Sequence, residues 1–102
     1  MKSNASTHVK VAMLRRAANS EQKQIAALIG IRQPYFSKLE NGHLPFPEIY
    51  LERFCRLFDI RPTDFHTCEA VDLVGYFYRK RNGSLNVPDT RPGLRRQRAS
   101  SR

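Results

Sequence analysis

Residues that end helices divide the first two thirds of this chain into short segments whose apolar side chains recur at helical spacing. The first segment begins near Val9 and is closed by Asn19, the second is closed by Gly30, and the third by Asn41-Gly42. Asn and Gly end helices because they tolerate the left-handed backbone conformation that follows the last turn. Apolar residues at intervals of three and four mark one buried face on each segment. We therefore predict an all-α fold.

Polar residues at the segment boundaries predict where the helices begin. Ser20 is a candidate cap of the second helix, because a serine hydroxyl accepts a hydrogen bond from a free N–H of the first turn. Pro47 and Pro62 suit the first position of a fourth and a fifth helix, where the missing N–H of proline has no partner to lose. We expect Ala26 on the flank of the second helix and these residues inside: Ile25, Leu28, Ile29, Phe36 and Leu39.

The segment that follows the fifth helix has two readings. The sequence Arg79-Lys80-Arg81 before Asn82-Gly83 predicts a helix C-terminus, since cations favour the last turn and Asn favours the left-handed stop. Residues 71–78 are rich in strand formers, however, and Asn82-Gly83 is also a good hairpin turn. We favour a sixth helix over residues 67–81 and keep the hairpin as the alternative.

Positive charge is concentrated at the C-terminal end of the chain. The whole chain has 18 Lys and Arg against 9 Asp and Glu, and residues 79–102 alone hold 8 of these cations and one acid. This stretch has too few apolar residues to offset the entropy lost on ordering. We predict a domain over residues 1–66, the sixth helix, and a disordered basic tail over residues 82–102. Such a charge suits nucleic acid, an anionic membrane surface or an acidic protein.

Several classes of protein are excluded by composition and motifs. No apolar run approaches the ~20 residues that a bilayer span requires, and the polar N-terminus does not resemble a secretory signal. Cys55 and Cys68 form neither a CxxC motif nor a disulfide framework, so we expect a reduced, cytoplasmic protein. His66 and Cys68 supply two metal ligands without others nearby. We predict no enzyme activity, no metal and no cofactor, because neither a catalytic set nor a Gly-rich phosphate loop is present.

The segment from Gln22 to Gly42, QKQIAALIGIRQPYFSKLENG, contains two short helices joined by a turn at Gly30-Ile31. It resembles the Xre/Cro-like phage repressor family, whose Gln-x-x-x-Ala pattern, Gly-Ile turn and Leu-Glu-Asn-Gly recur here at the same spacing. The resemblance extends from Val9 to Phe65. It implies a five-helix, repressor-like helix-turn-helix domain, here followed by the sixth helix and the tail, that binds double-stranded DNA. Such a protein would be bacterial or phage-encoded and act at the nucleoid.

The same resemblance implies roles for polar residues of both helices. Gln22 would grip a phosphate with its amide and backbone N–H and brace Gln33, and Asn41 would contact a further phosphate. Such contacts set register and do not read sequence. Glu40 is expected to pair with a cation of the first helix, such as Arg15.

The outward face of the third helix carries the expected base contacts. In the major groove a Gln amide can pair with adenine and a Lys ammonium can donate to guanine. Since Phe36 and Leu39 face the core, the outward side chains are Gln33, Pro34, Tyr35, Ser37 and Lys38.

This chain departs from the family pattern just before the third helix. The family has Ser as the usual cap there, whereas Arg32 cannot accept an N–H bond. We infer that Arg32 contacts DNA, that Gln33 caps the helix and that Pro34 holds its first position. Tyr35 is larger than the usual residue and is expected to pack on a thymine methyl or a sugar.

These features predict a sequence-specific transcriptional regulator, most simply a repressor. One such module touches only a few base pairs, so we expect a homodimer on an inverted repeat. The predicted dimer face is the fifth helix with an apolar stripe of the sixth, and the alternative is that the sixth helix only covers the monomer core. The stripe consists of Val71, Leu73, Val74 and Phe77.

Two other functions remain open from the sequence. An antitoxin would bind a toxin protein through residues 71–78 and repress its own operon. An adaptor would keep the fold without binding DNA, although retention of Gln22, Gln33 and Asn41 speaks against that reading.

Overall fold

The regular secondary structure of the described residues is all helical. A computed structural model describes residues 6–87, and this range contains no strand. The all-α prediction is confirmed, although the fourth helix begins one residue after Pro47. The helices are α1 (Thr7–Ala17), α2 (Gln22–Ile29), α3 (Gln33–Glu40), α4 (Glu48–Leu57), α5 (Pro62–Thr67) and α6 (Ala70–Arg81).

The cap of α2 differs from the prediction. Glu21 occupies the cap position, while the hydroxyl of Ser20 donates to the carbonyl of Ala18 at 3.3 Å. The backbone N–H of Glu21 donates to Gln24 Oε1 at 2.8 Å, and the Glu21 side chain accepts from the Gln24 N–H. This reciprocal pair satisfies two donors that the helix itself leaves free. It also places a carboxylate where the helix dipole is positive.

The start of α3 also differs from the prediction that Gln33 is its cap. Arg32 holds the cap position without a side-chain hydrogen bond, Gln33 is the first helical residue and Pro34 the second. A guanidinium has no acceptor and cannot cap an N–H. Pro34 is tolerated because the first N–H groups of a helix have no partner inside it. The side chain of Gln33 is therefore not used as a cap.

One apolar core joins the six helices and is dominated by phenylalanine rings. The ring of Phe58 lies 4.6 Å from that of Phe54 and 4.8 Å from that of Phe77, measured between centroids. Burial of each such side chain stabilises the fold by roughly 1.5–3 kcal/mol. The fully buried rings are Phe36, Phe54, Phe58, Phe65 and Phe77.

The buried face of α2 consists of Ile25, Ala26 and Ile29, whereas Leu28 is 37% exposed. Placing Leu28 inside and Ala26 on the flank was wrong. At about 100° per residue, Ile29 falls between Ile25 and Ala26, which leaves Leu28 at the edge of that face.

The segment after the fifth helix, for which the sequence allowed either a helix or a hairpin, forms the helix α6. The hairpin alternative is therefore wrong. Leu73 and Phe77 are buried in the domain core, Val74 is half-buried, and Val71 is 67% exposed. Two of the four residues of the predicted dimer stripe, Leu73 and Phe77, therefore belong to the monomer core, where Phe77 packs on Phe58. The helix α6 covers the monomer core, as the alternative states, while Val71 and part of Val74 stay accessible.

The chain after α6 turns back onto α4. Asn82 ends α6 with φ 55°, and Leu85 packs against the core. The backbone N–H of Asn86 donates to the carbonyl of Leu57 at 2.6 Å, and its side chain donates to the carbonyl of Arg56 at 3.3 Å. The first residues assigned to the basic tail therefore lie against the domain. The rest of that tail lies outside the described residues.

A buried lysine closes the C-terminal end of α5. Lys10 Nζ donates to the carbonyls of Phe65 at 2.7 Å and His66 at 3.3 Å. Its residue is only 3% exposed, and this burial lowers the pKa of the ammonium. The last carbonyls of a helix lack partners inside the helix, so the ammonium satisfies them and ties α1 to α5.

The last carbonyls of two more helices accept hydrogen bonds from side chains that are distant in the sequence. Arg53 Nη1 donates to the carbonyl of Ile29 at the end of α2, at 3.0 Å. Tyr78 Oη donates to the carbonyl of Ala17 at the end of α1, at 2.5 Å. These contacts fix how α4 and α6 lie against the first two helices.

Other chemical features of the described range are limited. None of the helices within residues 6–87 is long and apolar enough to cross a membrane. The same residues contain no cluster of three or more His, Cys, Asp or Glu that could hold a metal ion. Burial raises the pKa of the Cys55 thiol to about 12, so this thiol stays protonated at neutral pH.

Replacing Lys10 with Met tests its role at the end of α5. The methionine keeps the apolar stem but leaves two carbonyls without their donor, so we expect a loss of about 1–3 kcal/mol in the free energy of unfolding. Chemical denaturation at neutral pH measures it. Lys80→Met on the exposed end of α6 is the control and should change stability by less than about 0.5 kcal/mol. Equal stability of both variants would show that the Lys10 contacts contribute nothing.

Candidate DNA-binding site

The turn between α2 and α3 depends on Gly30. This residue has φ 86°, and the N–H groups of Gly30 and Ile31 both donate to the carbonyl of Ala26 at 2.9 Å. A Cβ at this position would be strained and would lie 3.0 Å from Arg53 Nη1. Glycine therefore allows α3 to begin only a few residues after α2 ends, which produces two short helices joined by a tight turn.

A buried carboxylate connects α1 to this helix pair. Glu40, at the end of α3, accepts from Arg15 Nε at 2.5 Å and from Arg15 Nη2 at 3.3 Å. Its side chain is 3% exposed and that of Arg15 14%. Arg15 Nη1 also donates to the carbonyl of Ser20 at 2.8 Å. The predicted pairing of Glu40 with Arg15 is confirmed.

The same carboxylate orients two glutamine amides in series. Gln22 Nε2 donates to Glu40 Oε1 at 2.5 Å, and Gln33 Nε2 donates to Gln22 Oε1 at 2.8 Å. An ionised carboxylate only accepts hydrogen bonds, so Gln22 must turn its NH2 group toward Glu40 and its oxygen toward Gln33. Gln33 must then present its own NH2 group to Gln22. We call Arg15, Glu40, Gln22 and Gln33 the amide relay.

The relay leaves part of the Gln33 amide available. One N–H is used on Gln22, while the second N–H and the oxygen of this exposed residue have no hydrogen-bond partner among the described residues. A free donor and a free acceptor on one amide are what a bidentate contact with an adenine edge requires.

Other polar residues extend this surface along α3. Gln33, Ser37 and Asn41 are spaced by four residues, and Asn41 Nδ2 donates to Ser37 Oγ at 3.3 Å. Residues four apart lie on one helix face. Arg32 and Lys38 lie beside this row, one before the first turn of α3 and the other in its last turn. The surface therefore carries cations toward both ends of α3.

Tyr35 is held more firmly than the sequence indicates. Its ring is half-buried and meets the ring of Tyr50 edge to face, with centroids 6.1 Å apart. The guanidinium of Arg53 lies over the Tyr50 ring at 5.6 Å. Tyr35 therefore stands at the α4 side of the surface with only part of its ring accessible, while its neighbour Pro34 is exposed.

The structure brings Gln22 into contact with Gln33, and Asn41 into contact with Ser37. Tyr35 packs instead on Tyr50, and Arg32, Pro34 and Lys38 are exposed around α3. The structure also adds Arg53, which sequence inspection missed because its role depends on α4 crossing the end of α2. The contact between Gln22 and Glu40 was likewise missed, since the two residues are 18 positions apart. The sites named from the sequence are Gln22, Arg32, Gln33, Pro34, Tyr35, Ser37, Lys38 and Asn41.

Two short helices joined by a glycine turn, with an exposed polar face on the second, define a helix-turn-helix DNA-binding protein. The chain belongs to the helix-turn-helix domain family, whose model matches residues 9–66. No curated protein and no solved structure matches the chain. The matched region ends within α5, so α6 and the segment that packs on α4 are additions to the matched domain.

A double-mutant cycle tests the buried pair at the base of the relay. Arg15→Met alone leaves a buried carboxylate without its cation, so we expect a loss of about 3 kcal/mol in the free energy of unfolding. Adding Glu40→Leu should recover most of this loss, because the unpaired charge is then gone. Arg61→Met is the control, since the Arg61–Asp64 pair is exposed and its removal should cost less than about 1 kcal/mol. Additive effects of the two core substitutions would contradict this account.

Proposed function

We propose that this protein is a sequence-specific transcriptional regulator, acting as a repressor, that inserts α3 into the major groove of double-stranded DNA. The observation that carries the proposal is the amide relay, which holds the Gln33 amide in one orientation on an exposed helix face. Pre-orientation favours recognition because the side chain loses less freedom on binding. The family assignment supports the same general function.

The dimensions of α3 suit this role. With its side chains an α-helix is about 10–12 Å in diameter, which fits the ~12 Å width of the major groove. At 1.5 Å per residue, the eight residues of α3 are roughly 12 Å long. Gln33 would then contact adenine through its free N–H and oxygen, and Lys38 would donate to guanine. Tyr35 and Ser37 would contact neighbouring sugars or base edges.

Phosphate contacts would flank these base contacts. Gln22 stands at the first position of α2, where the backbone N–H groups have no partner within the helix. One N–H of its amide is used on Glu40, and the other can donate to a phosphate oxygen together with the backbone. Asn41 and Arg32 would hold phosphates at the two ends of α3. Such contacts fix the register of the domain on the duplex.

Specificity from so small a surface implies two copies on one site. We propose a homodimer on an inverted repeat, with half-sites about one helical turn, roughly 34–36 Å, apart. Its interface does not use Leu73 and Phe77, since both are buried in the monomer. The same burial weakens the antitoxin alternative, because residues 71–78 then offer a toxin less apolar surface. We further propose that it is an Xre/Cro-like repressor, bacterial or phage-encoded, that acts in the cytoplasm at the nucleoid; the motif from Gln22 to Gly42 supports this subfamily.

Selection from random duplexes, followed by binding measurements on the selected site, tests the proposal. We expect an inverted repeat, and we expect Gln33→Ala and Lys38→Ala each to weaken binding to it by about 1–3 kcal/mol with little effect on random DNA. Lys80→Ala removes the same charge from α6 and is the control for Lys38→Ala. Equal weakening on selected and random duplexes would show that these side chains do not read bases, and selection of no sequence would refute the proposed function.

The basic tail is proposed to add affinity without specificity. Residues 88–102 carry five arginines and one acid, and they follow the segment in which Asn86 is hydrogen-bonded to α4. Removing residues 88–102 keeps Leu85 and Asn86 in place and tests the charge alone. The slope of log K against log salt should become shallower by ~0.9 for each phosphate that the tail neutralises. An unchanged slope would show that the tail neutralises no phosphates. A change in the preferred DNA sequence would show that the tail contacts bases.

A further inference from the structure

A cleft with two histidines lies beside the C-terminal end of α3. It has a volume of about 390 Å³ and lies between the first turn of α1 and the loop that follows α3. His8 lines one wall and His43 the other, and Ser6 lies at the α1 end. This cleft takes no part in the amide relay or in the contacts proposed for base edges.

His8 is positioned against the loop by Gly42. A Cβ built on Gly42 would lie 2.9 Å from Cε1 and Nε2 of His8, so the ring packs against the open face of this glycine. Gly42 has φ 81°, which also favours glycine at this position. His8 Nδ1 lies 3.3 Å from Ser6 Oγ, which restrains the ring on its other edge.

The loop keeps His43 close to the DNA-facing row of α3. The N–H of Gly42 donates to the carbonyl of Leu39 at 3.2 Å, and the N–H of His43 donates to that of Lys38 at 2.9 Å. The backbone thus stays wound against the last turn of α3, with exposed His43 two residues after Asn41. Phosphates follow one another every ~3.4 Å along the axis of each strand, so the phosphate beside the one proposed for Asn41 lies near this cleft.

The side chains that line the cleft suit an anion. Among the described residues that line it, His8 and His43 are the only titratable ones, and none carries a carboxylate. Histidine is the side chain that gains a positive charge as the pH falls through the range of about 8 to 5. Two protonated rings on one cleft repel each other less when an anion lies between them.

We propose that protonated His8 and His43 bind a backbone phosphate of the DNA, next to the phosphate contacted by Asn41. This inference rests on the proposed DNA binding and adds a dependence on pH to it. Protons would be taken up when the complex forms, so affinity for the selected duplex rises as the pH falls. The phosphate contact is independent of base identity, so the preferred sequence is the same at both ends of the pH range.

Binding of the full chain to its selected duplex at pH 6 and pH 8 tests the inference. We expect the wild-type dissociation constant to be lower at pH 6, by about twofold to fivefold for each histidine. His8→Gln and His43→Gln should each reduce this difference, and the double variant should abolish it. His66→Gln, on α5 and outside the cleft, is the control and should keep the wild-type difference.

Two further measurements separate a phosphate contact from a structural effect. The salt dependence of wild-type binding should be steeper at pH 6 than at pH 8 by ~0.9 per phosphate engaged, and this change should vanish in the double variant. His43→Lys keeps a positive charge at both pH values and should bind at pH 8 more tightly than the wild type does. Specific binding with the same affinity at both pH values, or a difference that survives in the double variant, would overturn this inference and leave the proposed function standing. If no duplex is bound at either pH, both fail.

Discussion

The hydrogen bonds of the buried Glu40 carboxylate are the interaction on which the arrangement of the α3 surface proposed to face DNA depends. Glu40 belongs to α3, and its carboxylate accepts hydrogen bonds from the Arg15 guanidinium of α1 and the Gln22 amide of α2. Three helices are therefore held by a single charged group in a place from which water is largely excluded. A charge in such a position is tolerated only when partners surround it, which is why the three helices cannot shift independently. The direction of the exposed Gln33 amide is set by this buried group.

The ends of the helices show why the domain continues beyond the region matched by the family. The last carbonyls of α1 and α4 accept hydrogen bonds from Tyr78 and Asn86, which both follow that region. Phe77 closes the core over Phe58. A chain cut at the end of the matched region would expose these rings and carbonyls to water. The helix-turn-helix unit is thus one part of a larger folding unit in this protein.

The sequence predicted the helices and their order because local signals determine them. Gly30 and Asn82 mark helix ends through backbone geometry that depends on the residue itself, and both positions have positive φ in the structure. The motif from Gln22 onward likewise identified the helix-turn-helix. What local signals could not predict were features decided by packing. Leu28 is exposed because the face of α2 is centred elsewhere, and α6 is buried on the side that the sequence left available to a partner.

The direction of the hydrogen bond from Gln33 to Gln22 restricts which side chains are compatible with position 33. The oxygen of Gln22 is committed to face this position, so a donor is favoured there and a carboxylate would bring two acceptors together. A change of base preference at this point therefore favours lysine or arginine over glutamate unless Gln22 changes as well. Substitutions that keep a hydrogen-bond donor at position 33 are therefore open to single changes, whereas an acceptor there requires a coupled change of Gln22.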